Sequence, residues 1–244
     1  MEPITLDEMD SIRLMNRVDT KFMTDEAGLL EFLRRAAGKY RVFEIGGQRT
    51  SGYDTVYYDT PDLRMYMDHH NRRLTRKKVR VRTYLSNDET FLEIKRKDNH
   101  GRTKKKRIHC SGSDVFGPEQ TEFLMAKSGY SPSEIAPKLR TSFERITLVN
   151  LGKTERLTID TSLLFENLAS GRSASMGSGV IIELKQDGAA PSPCREIFSE
   201  MRIHPFKVSK YCIGTAATSP SLKKNRFKGK IRKIEKIINN SLSI

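Results

Sequence analysis

Arginine and lysine recur at every second position in segments that otherwise read as good β-strands, and this restricts the chain more than any other feature. In KVRVRTY, residues 78–84, Val79 and Val81 fall on one face and Arg80, Arg82 and Tyr84 on the other, because side chains alternate across a strand. In FLEIKRK (91–97), Leu92 and Ile94 oppose Glu93, Lys95 and Lys97. In RVDTK (17–21), Arg17, Asp19 and Lys21 share a face opposite Val18. In RLTID (156–160), Leu157 and Ile159 oppose Arg156, Thr158 and Asp160, and in VIIELK (180–185) Val180, Ile182 and Leu184 oppose Ile181, Glu183 and Lys185. SFERITL puts Phe143, Arg145 and Thr147 together. One such strand reads as an ordinary antiparallel sheet with a wet face. Repeated over all these segments, with arginines among carboxylates and aromatics, the pattern predicts a sheet whose charged faces line a hydrophilic interior and whose apolar faces are covered by helices outside. Closing that sheet also removes its edges. The expected class is therefore α+β, a closed antiparallel β-tunnel with helices packed outside.

Charge and length agree with this reading. The 244 residues carry a formal net charge of +14, which points to a polyanionic partner: nucleic acid, phosphate compounds or an anionic surface. Half of the excess lies in KKNRFKGKIRKIEK, residues 223–236, so the rest of the chain is basic without it. Cys110, Cys194 and Cys212 are widely spaced, with no CxxC pair. They read as packing groups in a reducing compartment rather than a disulfide or zinc framework. The N-terminal MEPITLDEMD has no apolar signal region, and no apolar run is long enough to span a bilayer. The expected location is cytoplasmic, with association to a membrane through a partner protein left open.

Strands are predicted near 16–23, 40–49, 53–60, 74–84, 90–97, 102–110, 140–148, 155–161, 180–186 and 206–210. Thr24 is read as capping a helix with Leu29, Leu30, Leu33 and Ala36/Ala37 on one face. Further helices are expected at about 118–127, from Ser192-Pro193, and at 222–240, where Phe227, Ile231, Ile234 and Ile238 form a stripe. That basic C-terminal helix has three readings: packed on the tunnel wall, bound to an anionic membrane surface, or guiding product. Packing is preferred because the stripe needs a surface to cover. SGRSASMGSG (170–179) reads as a loop, and residues 1–244 as one domain.

An interior lined by this many cations must hold water and anions, since burying them dry is prohibitive. The planar fork of arginine suits phosphate oxygens, and lysine adds point charge. Glu93, Asp160 and Glu183 are the acids available there for Mg²⁺ or Mn²⁺, which take carboxylate, water and phosphate oxygens. Glu93 reads equally as the structural partner of an interior lysine or as a second metal ligand. Lys105 and Arg107 are favoured over Lys104 and Lys106 as inward-facing. Asp59 and Asp62 flank Pro61 and read as turn caps. His69, His70, His100 and His109 show no metal spacing and read as solvated.

The run YYDTPDLRMYMDHHNRRLTRKKVRVRTY, then FLEIKRK, RTSFERITL, RLTID, VIIELK and SKYCIG, resembles the VTC domain. That is the catalytic module of the vacuolar transporter chaperone complex, a polyphosphate polymerase within the triphosphate tunnel metalloenzyme (CYTH-like) superfamily. The resemblance spans roughly residues 10–238. It implies an eight-stranded antiparallel tunnel and transfer of the γ-phosphoryl of ATP onto a growing polyphosphate chain. It further implies that Lys21, Arg80, Arg82, Lys95, Arg145, Arg156 and Lys210 grip the triphosphate and the chain. Arg80, Arg82, Arg145 and Arg156 offset charge on the transferred group, and Glu183 is the main metal ligand for Mn²⁺ or Mg²⁺. Lys185, Arg17 and Lys97 are further substrate contacts on the same faces.

Two departures stand out. Many tunnel triphosphatases open with Glu-x-Glu-x-Lys; here the strand reads Arg17-Val-Asp19-Thr-Lys21, which leaves fewer acids for metal and favours the VTC branch. Arg72 follows Asn71 where relatives commonly have Gly, so a local loop change is expected. Eukaryotic relatives carry an inositol-phosphate sensor domain and membrane helices; without them, the expectation is synthesis without translocation. Two other functions compete: a tunnel triphosphatase hydrolysing inorganic or nucleoside triphosphate, and a non-catalytic binder of polyphosphate or nucleic acid. Nucleic acid calls for exposed stacking aromatics, and only Tyr84 and Phe91 qualify, so it is the weakest reading.

Overall fold

The computed structural model describes residues 1–10, 12, 17–112, 116–188 and 190–242. In chain order its elements are β1 (Pro3–Ile4), α1 (Leu6–Asp10), β2 (Arg17–Asp25), α2 (Glu26–Ala36), β3 (Tyr40–Phe43), β4 (Ser51–Asp59), α3 (Arg64–His70), β5 (Arg76–Tyr84), β6 (Glu89–Lys97) and β7 (Thr103–His109). There follow α4 (Pro118–Ser128), β8 (Ala136–Asn150), β9 (Glu155–Asn167), β10 (Ser173–Ser175), β11 (Gly179–Asp187), α5 (Pro193–Glu200), α6 (Lys210–Thr218) and α7 (Asn225–Ile238). Asn16, the expected first residue of the β2 segment, lies outside the described residues.

Eight strands form one antiparallel path, β2-β11-β9-β8-β4-β5-β6-β7, with β1, β3 and β10 as short additions. The two longest strands, β8 and β9, sit near its middle. Their register shifts between Ser142 and Glu144, and β8 shifts against β4 between Tyr57 and Tyr58. Such bulges bend a strand and deepen its twist, and the path curls. Among the described residues no ladder joins β2 to β7. The sheet is thus a curled half-barrel, and the expected closure by hydrogen bonds is not found there. Each free edge has a physical reason. Phe206 N–H donates to the Lys21 carbonyl at 2.6 Å, occupying part of the β2 edge. β7 carries Lys104, Lys105, Lys106 and Arg107 in an exposed run, and a lysine-rich edge resists pairing with another strand.

The apolar faces lie outside the curl. Phe22, Leu148, Leu157, Ile159, Val180, Ile182 and Leu184 pack with Leu29, Phe32 and Ala36 of α2 and Cys194, Ile197 and Phe198 of α5. Val56, Val79, Val81, Leu92 and Ile94 pack with Leu124 of α4 and Met65 of α3. A third core fills one end of the inside. There Met23, Tyr57, Leu139, Phe143, Phe165 and Ile181 meet Tyr211, Cys212, Ile213 and Ala216 of α6 and Phe227, Ile234 and Ile238 of α7. The helix α6 approaches so closely that a Cβ on Gly214 would stand 2.5 Å from Phe165 Cδ1 and 2.8 Å from Leu139 Cδ2. The C-terminal stripe is packed, as preferred, with Ile231 partly buried beside it.

Several local expectations change. The cap of α2 is Asp25, whose carboxylate accepts from Gly28 N–H at 2.8 Å, rather than Thr24, which belongs to β2. Leu30 is exposed and Phe32 takes the buried place assigned to it. Residues 206–209 lie in no strand, and Lys210 opens α6 behind the cap Ser209. Three helices, α1, α3 and α6, go beyond the expectation from sequence, and β10 lies within the stretch read as a loop. His69 and His70 lie in α3 rather than in a solvated loop. His70 is buried, and burial together with the nearby cations Lys78 and Arg76 lowers His69 to about 3. Among the described residues no helix is long and apolar enough to cross a membrane.

The turn after α3 explains the Asn71-Arg72 departure. Arg72 N–H donates to the His69 carbonyl and Arg73 N–H to the Asp68 carbonyl, a Schellman closure. It needs a left-handed residue, and Arg72 supplies φ 58° itself. The loop keeps the glycine geometry without the glycine. A non-glycine residue costs about 1–2 kcal/mol there, partly offset by the greater unfolded entropy of glycine. Arg72→Gly should therefore raise the thermal midpoint by roughly 2 °C; a fall in calorimetry would contradict this account.

Candidate functional site

The inner face is a lattice of charged rungs set by strand register. Across β5, β6 and β7 the inward residues stand abreast as Arg82–Phe91–His109, Arg80–Glu93–Arg107, Lys78–Lys95–Lys105 and Arg76–Lys97–Thr103. On the opposite wall Lys21 faces Glu183, and Lys185 stands between Asp19 and Arg156. Like charges directly opposite each other destabilise a sheet, so the rung of three lysines carries a local cost that Glu93 offsets at Lys105. The curl brings the walls together. Lys95 of β6 and Glu183 of β11 influence each other's protonation although four strands separate them in the path.

Two buried carboxylates brace this lattice. Glu93, with no exposure, accepts from Arg80 Nε at 2.7 Å and Nη2 at 2.5 Å through Oε2, and from Lys105 Nζ at 2.7 Å through Oε1. Asp160 accepts a forked pair from Arg145, Nε at 2.6 Å and Nη2 at 2.9 Å, and a third bond from Lys210 Nζ at 2.5 Å. Burial alone raises both acids, but Arg80 and Arg82 around Glu93, and Arg145 and Lys210 around Asp160, outweigh it and hold both far below the usual carboxylate range. The contacts expected of Glu93 as the partner of an interior lysine are present, with Lys105 on one oxygen and Arg80 on the other. Both of its oxygens are engaged by cations.

Aromatic rings support the guanidinium groups from below. Arg145 lies 4.8 Å from the Tyr53 centroid and 5.3 Å from Phe143, and Lys210 Nζ sits 3.0 Å over Phe143. Arg80 lies 5.9 Å from Tyr57 and hydrogen-bonds its hydroxyl. Arg82 also lies over these rings, 5.3 Å from Tyr53 and 5.6 Å from Phe143, but differs from the other two in its hydrogen bonding. It is 6% exposed, and its hydrogen-bond partner is a hydroxyl, Thr55 Oγ1 at 3.1 Å, rather than a carboxylate. Burial and the repulsion of Arg80 and Arg145 depress its pKa. The charge of Arg80 first, and then burial, hold Lys95 well below the ordinary ammonium value, and burial takes Lys185 to about 8.

Glu183 differs from the other two acids. Lys21 Nζ lies 2.5 Å from its Oε2, yet its side chain is 23% exposed. Burial raises its pKa, while Lys21 and Lys185 overcome that and keep it ionised. Among the described residues no group of three or more His, Cys, Asp or Glu side chains is arranged to hold a metal. The donor set therefore fits a hard cation only where substrate phosphates and water complete the shell, which is how Mg²⁺ is commonly held.

The structure brings together Lys21, Arg80, Arg82, Lys95, Arg145, Arg156, Glu93, Glu183, Lys185 and Lys210 on the inner face. Lys210 arrives there from a helix rather than a strand. Lys97 lies further along the same face, at the rim. Arg17 is exposed and paired with Asp19 at 2.6 Å at the end of β2. Sequence reasoning missed Lys78, whose Nζ reaches Ser209 Oγ at 2.9 Å, although alternation with Arg80 and Arg82 was signal enough. It also missed how Lys210 is positioned. The Asp59 carboxylate caps α3 through Met65 N–H at 2.8 Å and Tyr66 N–H at 2.9 Å, and it also accepts from the Tyr211 hydroxyl, one residue past Lys210. The capping role read for Asp59 is present, with α6 tied to it.

Residues 16–219 match the family model of the VTC domain. Among solved structures, a Hippeastrum protein named for adenylyl cyclase and described as having a dominant triphosphatase activity superposes with a TM-score of 0.51 at 11% identity. The match covers 85% of this chain and 99% of that one. An adenylate cyclase-named protein of Vibrio parahaemolyticus gives 0.49 at 12% identity, over 84% and 100%. Another from Bacillus halodurans gives 0.48 at 13%, over 80% and 96%. Comparison with curated proteins gives no match.

Two measurements test this site. Arg82→Gln removes a buried cation that has no carboxylate partner. It should raise the thermal midpoint of the free protein by roughly 2–4 °C, the shift that about 1 kcal/mol gives a chain of this size, while reducing the stabilisation produced by added tripolyphosphate. A loss of stability would mean that Arg82 is satisfied where it lies. Asp160→Asn should cost about 3 kcal/mol at neutral pH, because it leaves Arg145 and Lys210 buried without their acid. The folded-state pKa of Asp160 is depressed, so its contribution is present above the unfolded value near 4 and fades below it. Urea titrations should therefore show the gap between variant and wild type closing as pH falls below about 4; a constant gap would contradict the ion-pair account.

Proposed function

The chain belongs to the VTC domain family, and on that premise we propose that it is a polyphosphate polymerase, moving the γ-phosphoryl of ATP onto the end of a polyphosphate chain held against the cationic inner face. The observation that carries this is the Lys78–Lys95–Lys105 rung beside Arg80 and Arg82. Cations held abreast at a cost to the fold are relieved by a chain of phosphates, and sites that carry such a cost are where function is sought.

In the reaction a terminal oxygen of the acceptor chain attacks the γ-phosphorus in line. The new P–O bond forms as the bond from that phosphorus to the β–γ bridging oxygen breaks, and ADP leaves with the electron pair. No nucleophilic side chain is required, because positioning and charge stabilisation carry phosphoryl transfer. Arg80 and Arg145, fixed by Glu93 and Asp160, present guanidinium groups that need no rearrangement as negative charge shifts. Arg82 and Arg156 add charge to the transferring group, and Lys21, Lys95, Lys185 and Lys210 align donor and acceptor phosphates. Glu183 would give a carboxylate oxygen to a Mn²⁺ or Mg²⁺ that arrives with the nucleotide. When bound, that cation neutralises phosphate charge.

Two observations favour this reading over its rivals. The Arg17–Asp19 pair removes one carboxylate from the strand where tunnel hydrolases carry two, which weakens a two-metal hydrolysis site. Phe91, one of two aromatics that could have stacked a base, is 5% exposed, with Arg107 4.3 Å from its ring centroid and the ring of His109 at 4.1 Å.

The deciding experiment incubates the protein with ATP and Mn²⁺, with and without a short polyphosphate primer, and follows chains on gels and free phosphate in parallel. Long chains with ADP are expected. Free phosphate alone would move the protein to the hydrolases, and neither product with tight polyphosphate binding would leave a binding module. Glu183→Gln should lower metal-dependent turnover by about 10²-fold or more, the scale of losing a key electrostatic group, with the fold intact; full activity would remove Glu183 from the metal site.

A further inference from the structure

A second cationic surface lies where the inner face ends. The Arg76–Lys97 rung is the last of the β5–β6 lattice, and beyond it the rim opens into a groove of about 340 Å³. Its walls add Arg64 and Asp68 of α3, Arg73, Lys77, Arg96 and the ring of Tyr130. Asp68 is the one carboxylate in that lining, and Arg73 lies 3.1 Å from it. The other cations there are held by groups that leave their charge in place. Arg76 Nη1 donates to the Arg73 carbonyl at 2.8 Å, and Lys77 donates to the Ser128 carbonyl with its ammonium 5.3 Å from the Tyr130 centroid. Carbonyls and a ring orient a cation without neutralising it, so the groove keeps a net positive charge. It is open to solvent, with Arg64, Arg73 and Arg96 all exposed.

We propose that this rim groove is a second anion site, which receives the part of a polyphosphate chain extending past the inner face. The inference rests on the polyphosphate reading above and adds to it a determinant of chain length. The Arg80–Lys78–Arg76 row of β5 and the Lys95–Lys97 row of β6 lead from the inner face to the groove without a break in sign. The groove suits an unadorned phosphate chain better than a nucleic acid, because Tyr130 is covered by Lys77 and no other described aromatic lines it. A short triphosphate is held further inside and does not need the groove; a long chain gains from both.

The test compares tripolyphosphate with long-chain polyphosphate on the full chain and on a triple variant, Arg64→Gln with Arg73→Gln and Arg96→Gln. All three residues are exposed, and unchanged thermal midpoints check that the fold is kept. The variant should bind the long chain about tenfold or more weakly, with the salt slope of its affinity reduced by about 0.7 for each phosphate that is no longer neutralised. Its affinity for tripolyphosphate should stay within a factor of about two, because the salt-sensitive cations removed lie outside the triphosphate site. Equal weakening for both ligands would reduce the effect to general charge and overturn the proposal. So would unchanged long-chain binding, or an oligonucleotide of the same charge that binds as tightly and is released in the same variant. Wild-type protein that neither makes nor binds long chains would instead sink the polymerase reading, whereas wild-type synthesis with no effect of the variant would sink the groove alone.

Discussion

A sheet with charge on one face and hydrocarbon on the other can bury only the second, and the rest of this structure follows from that constraint. The charged faces of the strands turn inward, with Tyr53, Thr55 and Tyr57 of β4 among them, so the apolar faces turn outward and require covering. Helices α2 and α5 cover one flank of the curl and α4 and α3 the other. The inner face keeps its charge over the stretch where Arg80 and Arg82 are buried and Lys95 and Lys185 are half-buried. Where the inward residues become apolar, at Met23, Leu139 and Phe165, the plug helix α6 comes in, and Gly214 lets it approach. The boundary between the charged and apolar parts of the interior lies at Phe143, whose ring carries Lys210 on its face.

Within the charged part, acids are distributed unequally. Glu93 and Asp160 serve orientation: each is enclosed by cations, ionised by their field, and unavailable for much else. Glu183 is left partly open beside Lys21. Buried ion pairs contribute little net stability, and their value here lies in holding guanidinium groups in one geometry. Among the described residues Arg82 hydrogen-bonds no acid, and its burial is a standing cost. A face that uses Glu93 and Asp160 for bracing and leaves Arg82 bonded to a hydroxyl suits an anionic ligand, and the rim groove extends the same positive charge outward.

The strands and the apolar faces were legible because period-two alternation survives in nearly every one of them. Lys21, Arg80, Arg145 and Glu183 could be placed on an inward face by counting residues, and the amphipathic stripe of α7 by its spacing. What failed was short or ended by tertiary contact. α3 is seven residues long and begins after a left-handed Leu63; its start depends on the Asp59 carboxylate, and Phe227, far away in sequence, packs against His69 and the buried His70. The stretch before Lys210 has strand-like alternation, yet Ser209 caps a helix there. Asp25 rather than Thr24 caps α2 because β2 continues through Thr24 in register with Val180.

The sequence by itself determined that this chain forms alternating strands with one cationic face and one apolar face, since alternation is a property of the extended backbone and needs no partner. It also determined the excess of positive charge and the scarcity of acids along that face. Only the tertiary structure decided which cations share an acid, that Lys210 enters from a helix tied to Asp59, that no ladder joins β2 to β7 among the described residues, and that a cationic groove continues the face at its rim. Those features depend on distances between residues far apart in the chain, which are set by the curl of the sheet and the packing of helices against it, and local periodicity carries no information about either.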